Sequence, residues 1–274
     1  MDLTNILEVV RLTDVGQTRG HNEDAVASDV EIGLVVLADG MGGYQAGEVA
    51  SEIAVLTIVA ELKETMPGLQ PGLFDHVFGM QAESQLVYDA VAQANDSIYT
   101  VSQSQPQCAG MGTTLVVGLF TNAKILVGHI GDSRMYRLRD DEFSQITEDH
   151  SVLQEQIKCG LITPEQAKVS NNKNLVTRAL GTAPTVELEL HEYDVQVGDI
   201  YLLCSDGLSD LVEDEDIHLT LSTLSANLEL AANQLIQMAN DNGGKDNISV
   251  ILAKVGQPFT VERSWCDNFL NWLK

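Results

Sequence analysis

The chain of 274 residues is poor in basic and aromatic side chains and has no long apolar run. It carries 15 lysine and arginine residues against 40 aspartate and glutamate residues, a net charge of −25. Such a surface repels nucleic acid and anionic lipid, so neither is an expected partner. No stretch of eighteen apolar residues is present, and we therefore expect no insertion into a membrane.

Cysteine is also scarce, and the few thiols do not form a recognisable site. The four cysteines are far apart without a CxxC pair, and the six histidines lack the spacing of a zinc site. We expect reduced, mostly buried thiols. The first residues lack the basic segment and cleavage site of a signal peptide, so a cytoplasmic location is predicted.

The chain lacks a linker rich in proline, glycine and serine, which favours one domain over residues 1–256. Residues 151–178 are polar and irregular, and we predict a flap-like insertion there. A tail over residues 257–274 has Trp265, Phe269 and Trp272 at helical spacing. The tail either packs on its own domain or docks a partner; a monomer is expected.

Strand-like runs are rich in valine, isoleucine and leucine and alternate with glycine, asparagine and aspartate. They cover Val26–Ser28, Ile32–Ala38, Thr114–Phe120, Ile125–Ile130, Met135–Leu138, Val186–Leu190, Asp199–Cys204 and Ile248–Val255. Apolar residues at helical spacing predict helices near residues 48–66, 83–102 and 228–240. Strands in meanders and helices in pairs indicate an α+β fold with two sheets inside and helices outside.

Four aspartates lie at the ends of these predicted strands. Asp39 and Asp206 each follow an apolar run and precede a glycine. Asp132 follows a third run, and Asp246 precedes a fourth. One Asp-Gly pair alone is typical of an ordinary turn. Four carboxylates at strand ends can lie side by side, where they repel one another unless a cation binds among them.

The candidate ligands in this set are all oxygen atoms, and the carbonyl of Gly40 adds another. Oxygen ligands select hard cations, Mg²⁺ or Mn²⁺. Glycines in the loop that begins at Gly40 leave room for an ion and a substrate. Upstream, Arg19 is followed by the acidic pair Glu23 and Asp24; an ion pair between Arg19 and Glu23 is the simplest expectation from spacing alone.

Six short motifs in this order resemble the metal-dependent serine/threonine protein phosphatases of the PP2C (PPM) family, bacterial branch. The motifs are RGHNED, ADGMGG, MGTT, GDSR, CSDGL and GGKDNISV. The resemblance extends over roughly residues 11–255. It implies a four-layer αββα sandwich, in which two mostly antiparallel sheets are flanked by helix pairs. It also implies two Mg²⁺ or Mn²⁺ ions at one end of the sandwich and allows a third.

The resemblance assigns metal ligands residue by residue. Asp39 matches the carboxylate that bridges the two ions, and the Gly40 carbonyl matches a ligand of one ion. Asp206 and Asp246 match ligands of the other ion. Asp132, together with Asp206, matches the position that holds a third and weaker ion.

The remaining assignments concern the phosphate and the water around the ions. Arg19 matches the arginine that binds the substrate phosphate. Met41 stands where some members carry a histidine assigned as the general acid, so no general acid is assigned here. The groups that match positions near metal-bound waters are Glu23, Asp24, Thr113 and Asn247. Asn247 either tunes Asp246 or caps a turn.

The activity implied is hydrolysis of phosphoserine and phosphothreonine by direct attack of a water or hydroxide bridging the two ions. The partners implied are phosphorylated proteins, including a bacterial serine/threonine kinase or its substrates. Two other interpretations stay open at this point. The chain is alternatively a non-catalytic signalling module that binds phosphoproteins, or a hydrolase of small phosphate esters.

Overall fold

The computed structural model describes residues 3–43, 46–69, 72–75, 79–168, 170 and 175–259. Trp265, Phe269 and Trp272 of the predicted tail lie outside these ranges. The strands are β1 (Leu7–Asp14), β2 (Asp24–Asp29), β3 (Leu34–Met41), β4 (Phe74–Asp75), β5 (Met80–Gln81), β6 (Gly112–Thr113), β7 (Leu115–Thr121), β8 (Lys124–Ile130), β9 (Arg134–Arg139), β10 (Glu142–Gln145), β11 (Glu189–Asp194), β12 (Ile200–Cys204) and β13 (Ile248–Val255). The helices are α1 (Ala46–Thr65), α2 (Ala82–Ser104), α3 (Val152–Lys158), α4 (Pro164–Lys168), α5 (Asp206–Ser209), α6 (Asp214–Thr223) and α7 (Leu228–Asp241).

Two antiparallel sheets form the centre of the molecule. One has five strands in the order β1-β13-β12-β9-β10, and Leu202 lies opposite Leu252 in its middle. The other has the order β11-β8-β7-β3-β2, with β6 added to the end of β3, and Val36 lies opposite Val117. The short strands β4 and β5 form a separate ribbon.

Three layers of buried side chains separate four layers of secondary structure. Strand side chains alternate between the two faces of a sheet, so a strand covered on both faces is apolar throughout. In β3, Leu34 and Val36 pack with α1 and α2, whereas Val35 and Leu37 pack toward the five-stranded sheet. On the far side of that sheet, Leu202 packs with α6 and α7. The predicted α+β sandwich is confirmed.

The outer helices follow the predicted apolar stripes. In α2, Val87, Val91 and Ile98 are buried within the layer that α1 and α2 share with the six-stranded sheet. In α7, Leu228 and Leu235 are buried within the layer against the five-stranded sheet. Among the described residues, none of the helices is long and apolar enough to cross a membrane.

Tight turns hold the meanders together. Asn122 and Ala123, both with positive φ (47° and 63°), join β7 to β8. Two consecutive residues in this region are typical of the hairpin turn whose twist matches the strands. Asp140, with φ 54°, begins the turn between β9 and β10. Both turns join antiparallel neighbours, so β7 with β8 and β9 with β10 form hairpins.

Several elements differ from the sequence-based expectation, including the short elements β4, β5, β6, β10 and α5, which were not predicted. The strand predicted over Val186–Leu190 is displaced, because β11 runs from Glu189 to Asp194. It is an edge strand with exposed polar residues, which the apolar pattern does not mark. Strand β1 and helix α6 were not predicted, since charged residues interrupt both.

The predicted flap contains the two short helices α3 and α4. Ser151 caps α3, its hydroxyl oxygen accepting a hydrogen bond from the backbone N–H of Gln154 at 3.2 Å. An isolated bridge between Ser151 and Val176 joins the two ends of the segment. That the segment acts as a flap stays a prediction.

Candidate metal centre

The two sheets each contribute two of the four predicted aspartates. Asp39 lies near the end of β3, and Asp132 follows β8, both in the six-stranded sheet. Asp206 follows β12, and Asp246 precedes β13, both in the five-stranded sheet. These strand ends meet at one edge of the sandwich, so residues more than 200 positions apart in the sequence reach one place.

All four aspartates line one open cavity of about 250 Å³. The other predicted residues that line it are Arg19, Glu23 and Gly40. The lining also includes Met41, Gly42, Thr114 and Val176, of which Thr114 and Val176 were not predicted. Seven of the ten predicted site residues therefore surround a space large enough for ions and a phosphate group.

The carboxyl groups at the centre of the cavity are held under electrostatic strain. Burial raises the pKa of Asp39 well above its ordinary value, and the charges of Asp24 and Asp206 raise it further. Burial also raises the pKa of Asp206 strongly, with added repulsion from Asp132 and Asp246. A group of this kind is stable as carboxylates only when positive charge binds among them.

Two more carboxyl groups share this strain. Burial raises the pKa of Asp132 to about 6, and the charge of Asp149 adds to it. Burial likewise raises the pKa of Asp24 to about 6, although a hydrogen bond from the Ser205 hydroxyl at 2.9 Å opposes the shift. Asp24 does not line the cavity and lies behind it.

Among the described residues, two buried carboxylate oxygens have no hydrogen-bond partner, namely Asp206 Oδ1 and Asp24 Oδ1. Buried carboxylate oxygens are normally satisfied, and an unpaired one is costly. Since Asp206 lines the cavity, its orphaned oxygen is available as a ligand. The donor set, carboxylates with one backbone carbonyl nearby, fits a hard divalent cation.

Gly40 is required for a reason that the sequence did not show. A Cβ atom at this position would lie 2.1 Å from the carbonyl oxygen of Gly47 in α1. The first turn of α1 thus packs directly on the backbone of β3 beside Asp39. By contrast, a Cβ at Gly43 would meet nothing within 4 Å. The absence of a side chain at Gly40 therefore lets α1 approach β3 closely. The predicted role of the loop glycines, room for an ion and a substrate, does not explain this contact.

Arg19 does not form the ion pair that spacing favours. Its Nη2 donates to Asp246 Oδ2 at 2.7 Å, and its side chain is 49% exposed. The guanidinium group therefore lies over the carboxylate cluster while keeping contact with solvent. This places a planar donor beside the cavity, as phosphate recognition requires.

Asn247 and Thr113 form hydrogen bonds with the backbone of residues at the site. The Asn247 amide donates to the carbonyls of Val15 and His21, at 3.0 and 2.9 Å, and its oxygen accepts from Glu23 N at 2.8 Å. It therefore fastens the loop that carries Arg19. The Thr113 hydroxyl donates to the Asp39 carbonyl at 2.8 Å, away from the cavity.

Thr114, the next residue, lines the cavity, and the position of Thr113 near metal-bound water stays a prediction. Its hydroxyl oxygen accepts from Asp39 N at 3.0 Å, and its own N–H donates to the Asp39 carbonyl at 2.8 Å. The backbone of Asp39 is thereby fixed by both neighbouring threonines. Side chains alternate in direction along a strand, so two adjacent residues at its end point to different sides.

A second group of possible metal ligands lies outside this cavity. Ligand atoms of His129, His150 and Glu189 lie within 4.8 Å of one another. They already bond to one another or to the backbone: His150 Nε2 lies 3.2 Å from Glu189 Oε2, and His129 Nε2 lies 2.8 Å from the Glu148 carbonyl. This network explains the cluster without an ion.

Comparison with known proteins identifies the family. The model of the protein phosphatase 2C family matches residues 17–252. The chain belongs to the protein phosphatase 2C family. The serine/threonine protein phosphatase PstP of Mycobacterium tuberculosis is 40% identical over 253 residues, 92% of this chain and 46% of that protein. The serine/threonine phosphatase Stp of Listeria innocua is 36% identical over 245 residues, 88% of this chain and 93% of that protein.

Solved structures of this family share the fold. The crystal structure of the PstP catalytic domain "in complex with 2 Manganese ions" has a TM-score of 0.79 at 38% identity, covering 92% of this chain and 99% of that one. The chain spans less than half the length of the M. tuberculosis relative. The predicted family and fold are confirmed for this protein phosphatase 2C domain.

Proposed function

We propose that this protein phosphatase 2C domain hydrolyses phosphoserine and phosphothreonine in proteins with the help of Mg²⁺ or Mn²⁺. The observation that carries the proposal is the convergence of four aspartates, two from each sheet, on a cavity that Arg19 also lines. Relatives named serine/threonine phosphatases give the substrate class.

Two ions would be held by Asp39, the Gly40 carbonyl, Asp206 and Asp246, and a third by Asp132 with Asp206. The pair of manganese ions in the PstP structure supports this number. Divalent cations bound at such a site lower the pKa of water and offset the charge of the phosphate. The orphaned oxygen of Asp206 and the raised pKa of Asp39 support the assignment of these residues as ligands of such cations.

The protein's own side chains orient the substrate. Arg19 can donate two parallel hydrogen bonds to phosphate oxygens, which lysine cannot do. Nη2 of Arg19 now donates to Asp246, so a substrate phosphate would compete with this carboxylate for the same donor. Met41 lines the cavity and carries no exchangeable proton, so it does not protonate the leaving oxygen.

The finer predictions belong to the same proposal. Opposition to a bacterial serine/threonine kinase, a monomeric state and a cytoplasmic location remain predictions. The free thiols of Cys108, Cys159 and Cys204 agree with reducing surroundings.

An assay with two substrates tests the proposal. Purified protein is given an aryl phosphate and a phosphothreonine peptide, each with Mn²⁺, Mg²⁺ or EDTA. We expect turnover of both that requires a divalent cation and resists thiol-modifying reagents. Turnover that persists after complete chelation contradicts the mechanism. Peptide binding without turnover would indicate the non-catalytic module, and turnover of the aryl phosphate alone would indicate a hydrolase of small esters.

A further inference from the structure

A second, larger cavity adjoins the metal centre. Its volume is about 350 Å³, and it shares Asp132 and Asp206 with the first cavity. It lies between the predicted flap, which contributes α3 and α4, and the segment from α5 to the start of α6. A polypeptide whose phosphorylated residue enters the first cavity has adjacent residues within reach of the second.

One wall of the second cavity is apolar. Leu153 and Ile157 of α3 and Ala167 of α4 form it on the flap side, and Val212 continues it below α6. Leu153, Ala167 and Val212 are at most 9% exposed. This wall offers contact to methylene groups but contributes no charge.

Another part of the cavity lining, called here the rim, is strongly acidic. Glu213, Asp214 and Glu215 are exposed there at the beginning of α6. Among the described residues that line the cavity, the one basic side chain is Arg134, and it is held by Asp149 with Nη2–Oδ2 at 2.7 Å. The described residues that line this part of the cavity therefore carry a net negative charge.

We propose that this acidic cavity binds a lysine or arginine side chain adjacent to the phosphorylated residue of the substrate. This inference rests on the proposed function and adds a substrate class to it, namely phosphoproteins with basic residues near the phosphate. Lysine and arginine have an apolar stem and a charged end, and they bury the stem while the end stays in water. The apolar wall and the acidic rim match these two parts.

The charge of the whole chain favours the same substrate. A protein with a net charge of −25 attracts basic segments and repels acidic ones over a distance set by the salt concentration. The ion pairs at the rim would be exposed, so each contributes modestly. The effect is therefore expected in selectivity between peptides, with the chemistry of the phosphate unchanged.

The test compares two phosphothreonine peptides that differ only in having arginine or glutamine at the flanking positions. The double variant Glu213→Gln/Glu215→Gln removes charge at the rim and keeps size. The control Glu64→Gln/Glu229→Gln makes the same charge change elsewhere, and Glu229, like Glu215, lies in the first turn of a helix. Melting temperatures of both variants separate a loss of helix stability from a loss of binding.

We expect the wild type and the control to prefer the arginine peptide in kcat/KM by about three- to tenfold, as exposed ion pairs allow. The rim variant should lose most of this preference and keep its turnover of aryl phosphate. Raising NaCl from about 50 mM to about 500 mM should weaken the wild-type preference, since salt screens exposed charges.

Three outcomes would overturn the inference. The wild type could show no preference, or the rim variant could retain it. The rim variant could instead change the Mn²⁺ dependence of both substrates equally, which would assign these carboxylates to a cation. If the wild type hydrolyses neither peptide nor aryl phosphate, the proposed function is wrong and the inference is rejected with it.

Discussion

Replacing Asp206 by asparagine should stabilise the protein without metal while nearly eliminating its activity. Asp206 has an unpaired buried oxygen, and its carboxylate repels Asp39. Asparagine is similar in size, carries no charge and can donate a hydrogen bond to a neighbouring carboxylate. The exchange therefore relieves strain that the native protein tolerates in order to bind ions.

The pKa shifts of two neighbouring carboxyl groups indicate how large the gain in stability should be. The pKa of Asp132 and that of Asp24 are each raised from 3.8 to about 6. A shift of that size corresponds to about 3 kcal/mol per group. Allowing for solvent in the open cavity, we expect Asp206→Asn to gain about 2 kcal/mol. For a domain of this size the melting temperature should rise by about 4–8 °C.

The raised pKa values also predict the direction in which stability changes with pH. A carboxyl group whose pKa is raised by folding binds more protons in the folded state than in the unfolded state. The stability that such a group contributes to the folded state is present at low pH. It is lost as pH rises from about 4 through about 6. The wild type in EDTA should therefore be more stable at pH 5 than at pH 8, and the gain from Asp206→Asn should be larger at pH 8.

Calorimetry in EDTA and in Mn²⁺ measures both effects. The control is Asp96→Asn, an exposed residue on α2 that should leave stability unchanged. Mn²⁺ should raise the melting temperature of the wild type and of the control, and it should raise that of Asp206→Asn far less. If Asp206→Asn is no more stable than the wild type in EDTA at pH 8, the electrostatic reasoning about the cavity is wrong.

Two other substitutions test separate parts of the site. Arg19→Ala should lower kcat/KM for aryl phosphate about a hundredfold, by analogy with the loss of one donor to a transition state. Arg19→Lys should recover little of it, because lysine lacks the planar fork; full recovery would show that charge alone matters. Gly40→Ala should destabilise the protein by about 2–4 kcal/mol, since the new methyl group would overlap the Gly47 carbonyl. A denaturant titration with an unchanged midpoint would contradict the close packing of α1 on β3.

The sequence predicted the centre of the molecule better than its edges. Strands β3 and β12 are buried on both faces, so their side chains are continuously apolar and easily recognised. Strand β1 alternates half-buried with exposed residues, and it pairs with β13 through contacts that only the fold reveals. The edge strand β11 was displaced in the prediction for the same reason.

At the site, too, some residues could be predicted from the sequence and others could not. The aspartates could be predicted because each lies beside a conspicuous strand, and the structure places four of them on one cavity. Thr114 was not predicted to line the cavity, because the sequence does not show which of two adjacent threonines faces it. The bonds of Asn247 to Val15, His21 and Glu23 depend on two loops that approach each other only in the folded chain.

The division of the four aspartates between two sheets has a thermodynamic consequence. An ion bound at the seam would connect β3 and β8 on one side with β12 and β13 on the other. The affinity for that ion then depends on how well the two sheets pack through the apolar middle layer. Ion binding in turn stabilises that packing. A substitution deep between the sheets, far from any ligand atom, could alter ion affinity by changing the spacing of the two halves.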